Sequence, residues 1–140
     1  MAIKNTTENL FKKASQAQKK AYAPYSRFKV GAAILAGSGR VYTGCNVENG
    51  SLGLSICAER VALFKAVSEG ERVYRQIAIS SSQRQGVTPC GACLQTLAEF
   101  APDIKIIYRD KRGDIKTKGL EGFLSRPFVF GRKDTRKEMR

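Results

Sequence analysis

The sequence predicts an α/β fold, a three-layer α-β-α sandwich in which helices cover both faces of a mixed five-stranded sheet. An amphipathic segment opens the chain, a β-hairpin follows, and helical and β segments then alternate. Because a hairpin is antiparallel and strands joined through helices are usually parallel, we expect the sheet to be mixed. With 140 residues, the chain has an ordinary size for one domain. We expect that domain over residues 1–131 and a disordered basic tail over residues 132–140.

The first three elements are marked by local sequence signals. Asn5 and Glu8 have the spacing of a capping box at the start of a helix. The apolar residues after them recur at helical spacing: Leu10, Phe11, Ala14, Ala17 and Ala21. Two β segments follow, residues 28–35 and Val41–Cys45, and the glycines within residues 37–39 join them. This pattern predicts an amphipathic helix and then a β-hairpin.

The rest of the chain alternates between helical and β segments. The predicted elements are a helix over residues 56–69, a strand over 76–80, a helix over 90–100, a strand over 104–108 and a helical turn over 120–124. The turn at residues 110–113 introduces a short extended segment, which would be the fifth strand. The apolar positions of the second helix predict that it is buried: Val61, Leu63, Phe64 and Val67.

The chain is strongly basic, with 25 Lys and Arg against 12 Asp and Glu and a formal net charge of +13. Such a charge raises the question of nucleic acid, because clustered basic side chains release counterions from phosphates. The basic residues are spread over the first helix, residues 109–112 and the tail, with acids between them and no interleaved aromatic stripe. We therefore interpret the charge as a solvated surface and do not expect a nucleic-acid partner.

The sequence shows no signal for a membrane or for secretion. No apolar run approaches the roughly 18 residues that a membrane span needs. The polar residues 1–8 lack the apolar region of a secretion signal. We therefore expect no membrane association and a cytoplasmic location, in which cysteines remain thiols or thiolates.

Cysteine is the residue type on which the chemistry depends, since the sequence contains no histidine. The lack of histidine excludes Ser-His and Cys-His nucleophilic sites and every His-ligated metal site. Cys90 and Cys93 open a predicted helix, and their spacing places both sulfurs on one face of its first turn. Because a helix N-terminus stabilises anions, we expect both to be thiolates, the form that binds metal. Taken alone, the pair also fits a thioredoxin-like redox site.

The segment Cys57-Ala58-Glu59-Arg60 favours the metal, because a redox pair explains neither a third cysteine nor a carboxylate two residues after it. Three thiolates on one Zn²⁺ leave the fourth position for water, which is typical of a catalytic zinc. Cys45 lies within a predicted strand, and we interpret it as a core residue. Residues two apart on a helix point away from each other, so Glu59 is expected beside the metal and not as a ligand.

Four ordered segments carry a family resemblance. They are Tyr25-Ser26-Arg27-Phe28-Lys29-Val30-Gly31-Ala32-Ala33, Gly44-Cys45-Asn46-Val47-Glu48-Asn49, Cys57-Ala58-Glu59-Arg60 and Pro89-Cys90-Gly91-Ala92-Cys93. Through them the chain closely resembles the short, homo-oligomeric cytidine deaminases over about residues 21–128. Ligation by three cysteines, a glutamate that is not a ligand and a Pro-Cys-x-x-Cys signature are typical of zinc deaminases as a class.

The resemblance implies a zinc enzyme that hydrolyses cytidine and deoxycytidine to uridine and deoxyuridine plus ammonia, a reaction of pyrimidine salvage. One Zn²⁺ per chain is implied on Cys57, Cys90 and Cys93, with Glu59 moving the protons. One alternative is a deaminase of the same fold that acts on a cytosine-like antibiotic or on nucleic-acid cytosine or adenine. Another is a zinc-stabilised or redox module, against which Glu59 argues because such a module needs no carboxylate beside an open metal position.

The resemblance also implies a nucleoside site and an oligomer. Phe28 would pack on the pyrimidine, Asn46 and Glu48 would hold the ribose hydroxyls, and the backbone of Ala58 would bind the base. Phe128 matches an aromatic residue that family members supply from a neighbouring chain, which implies a homotetramer.

The chain departs from the family pattern at Leu94, where many members carry Arg, and at Ser125, where Pro is common. Three thiolates around one Zn²⁺ leave the site with excess negative charge, which makes the metal a poorer Lewis acid. We expect Arg60 to compensate part of this charge by donating hydrogen bonds to sulfur.

Overall fold

The computed structural model describes residues 2–131, in which five strands and three α-helices form the main elements. In chain order they are α1 (Ala2–Gln18), β1 (Val30–Ala36), β2 (Val41–Cys45), α2 (Ala58–Ser68), β3 (Tyr74–Ser81), α3 (Gly91–Phe100), β4 (Lys105–Arg109) and β5 (Ile115–Gly119). Single 3₁₀ turns lie at Leu52–Leu54 and Leu120–Gly122. The predicted elements are therefore all present, with bounds that differ by a few residues at most.

The five strands form one sheet in the order β2-β1-β3-β4-β5. β1 pairs antiparallel with β2 and β3, β3 pairs parallel with β4, and β4 pairs antiparallel with β5. α3 connects the parallel pair β3 and β4, since parallel neighbours need a crossover connection. The predicted mixed five-stranded sheet is confirmed.

Helices cover both faces of this sheet, which confirms the three predicted layers. α1 packs on one face through a small apolar cluster: Leu10, Phe11, Ala14, Ala33, Ala78 and Ile107. α2 and α3 pack on the other face, over a larger cluster that includes Ile34, Leu63, Ile77, Ile79, Leu97, Ile104 and Ile106. Because successive side chains of a strand point to opposite faces, the neighbours Ala33 and Ile34 belong to different cores.

Gly44 lets α2 approach the edge of the sheet closely. A Cβ atom at this position would lie 2.5 Å from the backbone nitrogen of Ala62 and 2.7 Å from the carbonyl oxygen of Ala58. Any side chain there would push α2 away from β2. Since Cys57 and Glu59 lie at the start of α2, the missing side chain of Gly44 sets how deep both groups sit.

We predict that Gly44→Ala destabilises the fold by about 1–3 kcal/mol, the usual cost of overpacking a close contact. Chemical denaturation followed by circular dichroism measures the change as a lower midpoint. Gly53→Ala is the matched control, because a Cβ atom at Gly53 would meet nothing within 4 Å. Equal midpoints for the two variants would contradict the close approach.

Two sequence-based expectations are wrong in detail. α1 begins at Ala2, so Asn5 lies inside the helix and does not cap it; no Gly or Pro before Asn5 breaks the helix. Phe64 is 45% exposed, because α2 turns its small residues Ala62 and Ala66 to the sheet and leaves the larger side chain outside.

The charged edge of the sheet accounts for part of the basic surface. β5 is an edge strand, and its Lys116 and Lys118 are exposed. Lysines on an edge strand oppose the addition of further strands from other chains. Within residues 2–131, no helix combines the length and apolarity needed to cross a bilayer. The predicted tail, residues 132–140, lies outside the described residues.

Candidate metal centre

Three cysteine sulfurs meet where the N-termini of α2 and α3 converge. Cys57 is the N-cap of α2, Cys90 is the N-cap of α3, and Cys93 lies in the first turn of α3. The three Sγ atoms lie within 4.8 Å of one another, and those of Cys57 and Cys90 are 3.9 Å apart. Cys45 lies on β2 and is not part of this group. The structure therefore brings together the three cysteines that the sequence singled out.

The spacing of these sulfurs fits a zinc ion. A tetrahedral zinc with Zn–S bonds of about 2.3 Å holds its sulfur ligands roughly 3.8 Å apart. All four cysteines are free thiols, so no disulfide competes for the ligands. The cluster can therefore close around one Zn²⁺ with little movement of the two helix ends.

The cysteines of the cluster differ in how readily they lose a proton. A hydrogen bond from Cys93, assisted by Arg60 and Cys90, lowers the pKa of Cys57 to about 5. The same hydrogen bond and burial raise the pKa of Cys93. At Cys93, burial and neighbouring negative charge therefore oppose the thiolate that the helix N-terminus was expected to favour. Metal binding must displace this proton, which couples metal affinity to pH.

Arg60 reaches back to the cluster from the first turn of α2. Its Nη2 atom donates a hydrogen bond to Sγ of Cys57 over 3.5 Å. The hydrogen bond to Cys57 and the charge of the sulfurs raise the pKa of Arg60, which stays protonated. Its Nε is buried and has no hydrogen-bond partner in the described part of the chain. The contact expected from the sequence is present, and its effect on the metal remains a prediction.

Glu59 is the buried carboxyl group of the site. Its side chain is 5% exposed, and burial raises its pKa to about 7. The raised pKa suits a group that both accepts and returns protons near neutrality. Glu59 faces the same cavity as Cys57 and Cys90.

That cavity has a volume of about 190 Å³ and is partly open. Its lining includes three residues that the sequence predicted to bind the substrate, Phe28, Asn46 and Ala58, together with the predicted catalytic residue Glu59. Val30, Val87 and Thr88 also line it and were missed. Val87 and Thr88 belong to a loop without a motif, and their only signal is their place just before Pro89 and Cys90. The cavity is smaller than the ~300 Å³ at which most ligand sites begin.

The Asn46 side chain fixes the backbone on which Phe28 sits. Its Oδ1 accepts a hydrogen bond from the Val30 N–H over 2.8 Å, and its Nδ2 donates to the Phe28 carbonyl over 2.7 Å. One amide N–H and one carbonyl lone pair of Asn46 remain for another partner. Asn46 therefore shapes the cavity wall as well as lining it.

Glu48 does not line the cavity; it holds the turn before Phe28. Its Oε1 accepts hydrogen bonds from the backbone N–H groups of Tyr25 and Ser26, and its Oε2 accepts one from the Ser26 hydroxyl. These bonds, led by the Ser26 hydroxyl, lower the pKa of Glu48. The turn contains Arg27 at φ 59°, a left-handed conformation that a non-glycine residue adopts only when its surroundings hold it.

Phe128 lies away from the cavity of its own chain. The Gln95 side chain forms two hydrogen bonds with the backbone of Phe128. It donates to the carbonyl and accepts from the N–H, each over 2.9 Å. The side chain is nevertheless 71% exposed. The structure therefore presents an aromatic ring to the outside from a fixed backbone.

Residues 4–109 match the sequence pattern of the cytidine and deoxycytidylate deaminase zinc-binding region. The match spans most of the chain and includes the clustered cysteines and Glu59. The chain belongs to the cytidine and deoxycytidylate deaminase family. The predicted family, fold and metal are thereby confirmed: the three-cysteine cluster lies in a zinc-binding deaminase domain.

The similarity to individual members of the family covers most of this chain and most of each relative. The cytidine deaminase of Halalkalibacterium halodurans is 52% identical over 108 residues, 76% of this chain and 82% of the relative. That of Sporosarcina psychrophila is 41% identical over 128 residues, 91% and 93% of the two chains. The crystal structure of cytidine deaminase from Burkholderia pseudomallei superimposes with a TM-score of 0.81 at 41% identity, covering 86% of this chain and 98% of that one. The structure from Mycobacterium tuberculosis gives 0.77 at 38% identity, covering 88% and 97%.

Proposed function

We propose that this chain deaminates free cytidine and deoxycytidine by hydrolysis, giving uridine or deoxyuridine and ammonia. The observation that carries the proposal is the place of Glu59, a buried carboxyl that lines a cavity beside three clustered cysteines. Replacing an amino group by oxygen requires a proton carrier next to an activated water, and this arrangement supplies both. The relatives named cytidine deaminase support cytidine as the substrate.

In this proposal Cys57, Cys90 and Cys93 would hold one Zn²⁺, and three protein ligands would leave room for a water molecule beside Glu59. When bound, the zinc ion lowers the pKa of that water and so provides a nucleophile near neutral pH. Arg60 and the N-termini of α2 and α3 draw charge from the sulfurs. The protein's own side chains carry out the proton transfers and bind the substrate.

Glu59 carries the protons. It accepts one from the attacking water, whose oxygen bonds to C4 of the pyrimidine, and delivers it to N3. The proton of the new C4 hydroxyl group then passes through Glu59 to the amino group, the C4–N bond breaks, and ammonia leaves as C4 becomes a carbonyl. Glu59 is the sole carboxyl among the described residues that line the cavity, so no other acid there can substitute for it.

The substrate contacts follow from the cavity wall. Phe28 packs on the pyrimidine, and the backbone of Ala58, at the open N-terminus of α2, binds the base. Asn46 uses its remaining amide N–H on a ribose hydroxyl. Glu48 retains lone pairs for a second sugar contact, and its main contribution is to hold the turn that places Phe28.

We further propose a homotetramer in which Phe128 closes the cavity of a neighbouring chain. The cavity is small and partly open, and Phe128 presents an exposed ring from a fixed backbone. An aromatic ring over the opening would exclude water and stack on the base.

We predict that Phe128→Ala raises KM for cytidine about 10-fold, the loss of one well-packed aromatic contact, while zinc content stays unchanged. Steady-state kinetics and light scattering measure affinity and assembly. Phe130→Ala is the matched control, since Phe130 is 76% exposed two residues further along. A fully active monomer, or equal effects of the two variants, would contradict the role of Phe128.

We predict that Arg60→Gln weakens zinc retention and lowers kcat, because the hydrogen bond to Cys57 is lost and the sulfurs keep more negative charge. Loss of an outer partner of a metal ligand typically costs about 10- to 100-fold in metal affinity or activity. Arg60→Lys keeps the positive charge and should lose less. Zinc content during dialysis against a chelator gives the comparison, and an unaffected Arg60→Gln protein would disprove charge compensation.

The direct test of function is the loss of ultraviolet absorbance when cytidine is incubated with the purified protein. Activity should disappear with a chelator and return with added zinc. Cytidine 5′-monophosphate, single-stranded DNA and a cytosine-containing antibiotic serve as competing substrates. Absence of turnover by zinc-loaded protein would reject the proposal, and comparable kcat/KM for DNA or the monophosphate would reject the free nucleoside as substrate.

A further inference from the structure

A second cavity, of about 410 Å³, lies between the loop after β3 and the turn that joins β4 to β5. Its charged lining consists of three arginines: Arg84 from the loop, Arg109 from the end of β4 and Arg112 from the turn. Ser81, Ser82 and Gln83 provide polar groups on the loop side. Among the described residues that line this cavity there is no Asp or Glu, so the wall itself offers no counter-charge.

Hydrogen bonds order both segments that carry these arginines. In the turn, the Asp110 carboxylate accepts from the backbone N–H groups of Arg112 at 2.9 Å and Asp114 at 3.0 Å. On the loop side, Ser82 and Lys29 exchange two hydrogen bonds, of 2.9 Å from the Ser82 N–H and 3.1 Å from the Lys29 N–H. The cavity is therefore preformed, which reduces the entropy cost of binding a ligand.

The three guanidinium groups differ in how many contacts they make within the protein. Arg109 donates to the Gly113 carbonyl and lies 5.0 Å from the ring centroid of Phe11, which fixes its orientation. The guanidinium groups of Arg84 and Arg112 donate no hydrogen bond to any other residue within 2–131. Arg112 interacts electrostatically with Asp110, but the turn's own N–H groups hold that carboxylate. Two guanidinium groups thus remain for an external anion.

We propose that this cavity binds the polyphosphate group of a free nucleotide. Guanidinium groups present paired N–H donors that match phosphate oxygens, and three of them around one pocket carry a charge close in size to that of two linked phosphates. The arginines lie around one small, open pocket on the surface; a nucleic-acid strand would need a continuous basic groove with aromatic platforms. The site is separate from the metal centre, so its occupancy can be tested without the deamination reaction.

The test is calorimetric titration of the zinc-loaded full chain with inorganic tripolyphosphate at about 0.15 M salt, where diffuse surface attraction is screened. Zinc content is measured before and after. We expect one site per chain, and binding weakened at least about 10-fold in Arg84→Gln/Arg112→Gln, since both uncommitted guanidinium groups are lost. Arg40→Gln/Arg75→Gln is the matched control, because it removes the same charge near the opposite end of β3.

Several outcomes would overturn the proposal. If tripolyphosphate does not bind at this salt concentration, or if the control variant weakens binding equally, the arginines contribute only nonspecific surface charge. Inorganic phosphate that binds as tightly as tripolyphosphate would show a site for a single phosphate. A single-stranded oligonucleotide that binds the chain and is not displaced by tripolyphosphate would favour nucleic acid as the partner.

Discussion

Glu59→Gln is expected to keep the fold and the zinc and to lower kcat by about 10²- to 10⁴-fold, the usual contribution of a general acid-base group. Glutamine has nearly the same shape, but it cannot accept the proton of the attacking water. Because Glu59 is buried and is not a member of the cysteine cluster, the substitution should leave the metal site intact. Steady-state turnover of cytidine and metal analysis of the same preparation measure both properties.

The control for this variant is Glu99→Gln, a glutamate of α3 outside the cavity lining, whose turnover should remain that of the native chain. Near-native turnover of Glu59→Gln would show that another group moves the protons. Loss of zinc together with activity would show instead that Glu59 supports the metal site, and the proposed division of roles would be wrong.

Cys93→Ala is expected to abolish zinc binding and activity and to lower the melting temperature. Cys93 is buried between the two helix ends, and its loss leaves two sulfurs, which cannot hold the ion against solvent. Metal affinity also contributes folding free energy, so the variant should resemble the chelator-treated native protein in stability. Metal analysis and thermal unfolding, each with and without chelator, measure the effect.

Cys45→Ser separates this effect from the general loss of a cysteine. Cys45 lies on β2 outside the cluster, so the variant should keep one zinc per chain and a melting temperature that still falls when chelator is added. Full zinc content in Cys93→Ala would reject the ligand set.

The architecture was predictable because its sequence signals are local. The hairpin is marked by glycines in a short turn, α3 is bounded by Pro89 and residue 101, and alternation of helical and β segments implied a mixed sheet. The same holds for the chemistry: without histidine, Cys57 and the pair Cys90 and Cys93 were the only sulfur groups positioned at helix starts. The structure adds their convergence, with sulfurs within 4.8 Å.

Other features depend on contacts between distant segments and could not be read from the sequence. Phe64 was expected inside because it is apolar, but α2 buries Ala62, Leu63 and Ala66 against the sheet and leaves Phe64 on its outer side. Val87 and Thr88 line the cavity from the loop that precedes α3, and that loop carries no sequence motif. The resemblance suggested Glu48 for the sugar, and the structure adds a second role that the sequence did not indicate, the hydrogen bonds that hold a left-handed turn.

Asn46 and Glu48 hold the backbone around Phe28 in addition to their proposed sugar contacts. This second role restricts how sugar preference can change, in evolution or by design. Both side chains form several hydrogen bonds to the backbone around Phe28, so replacing either would disturb the base pocket and the strained Arg27 turn along with any sugar contact. Val87 and Thr88 form none of the hydrogen bonds that hold this turn, and they line the cavity that contains Phe28 and Asn46. A library aimed at arabinose- or dideoxyribose-containing nucleosides should therefore keep the first pair fixed and vary the second.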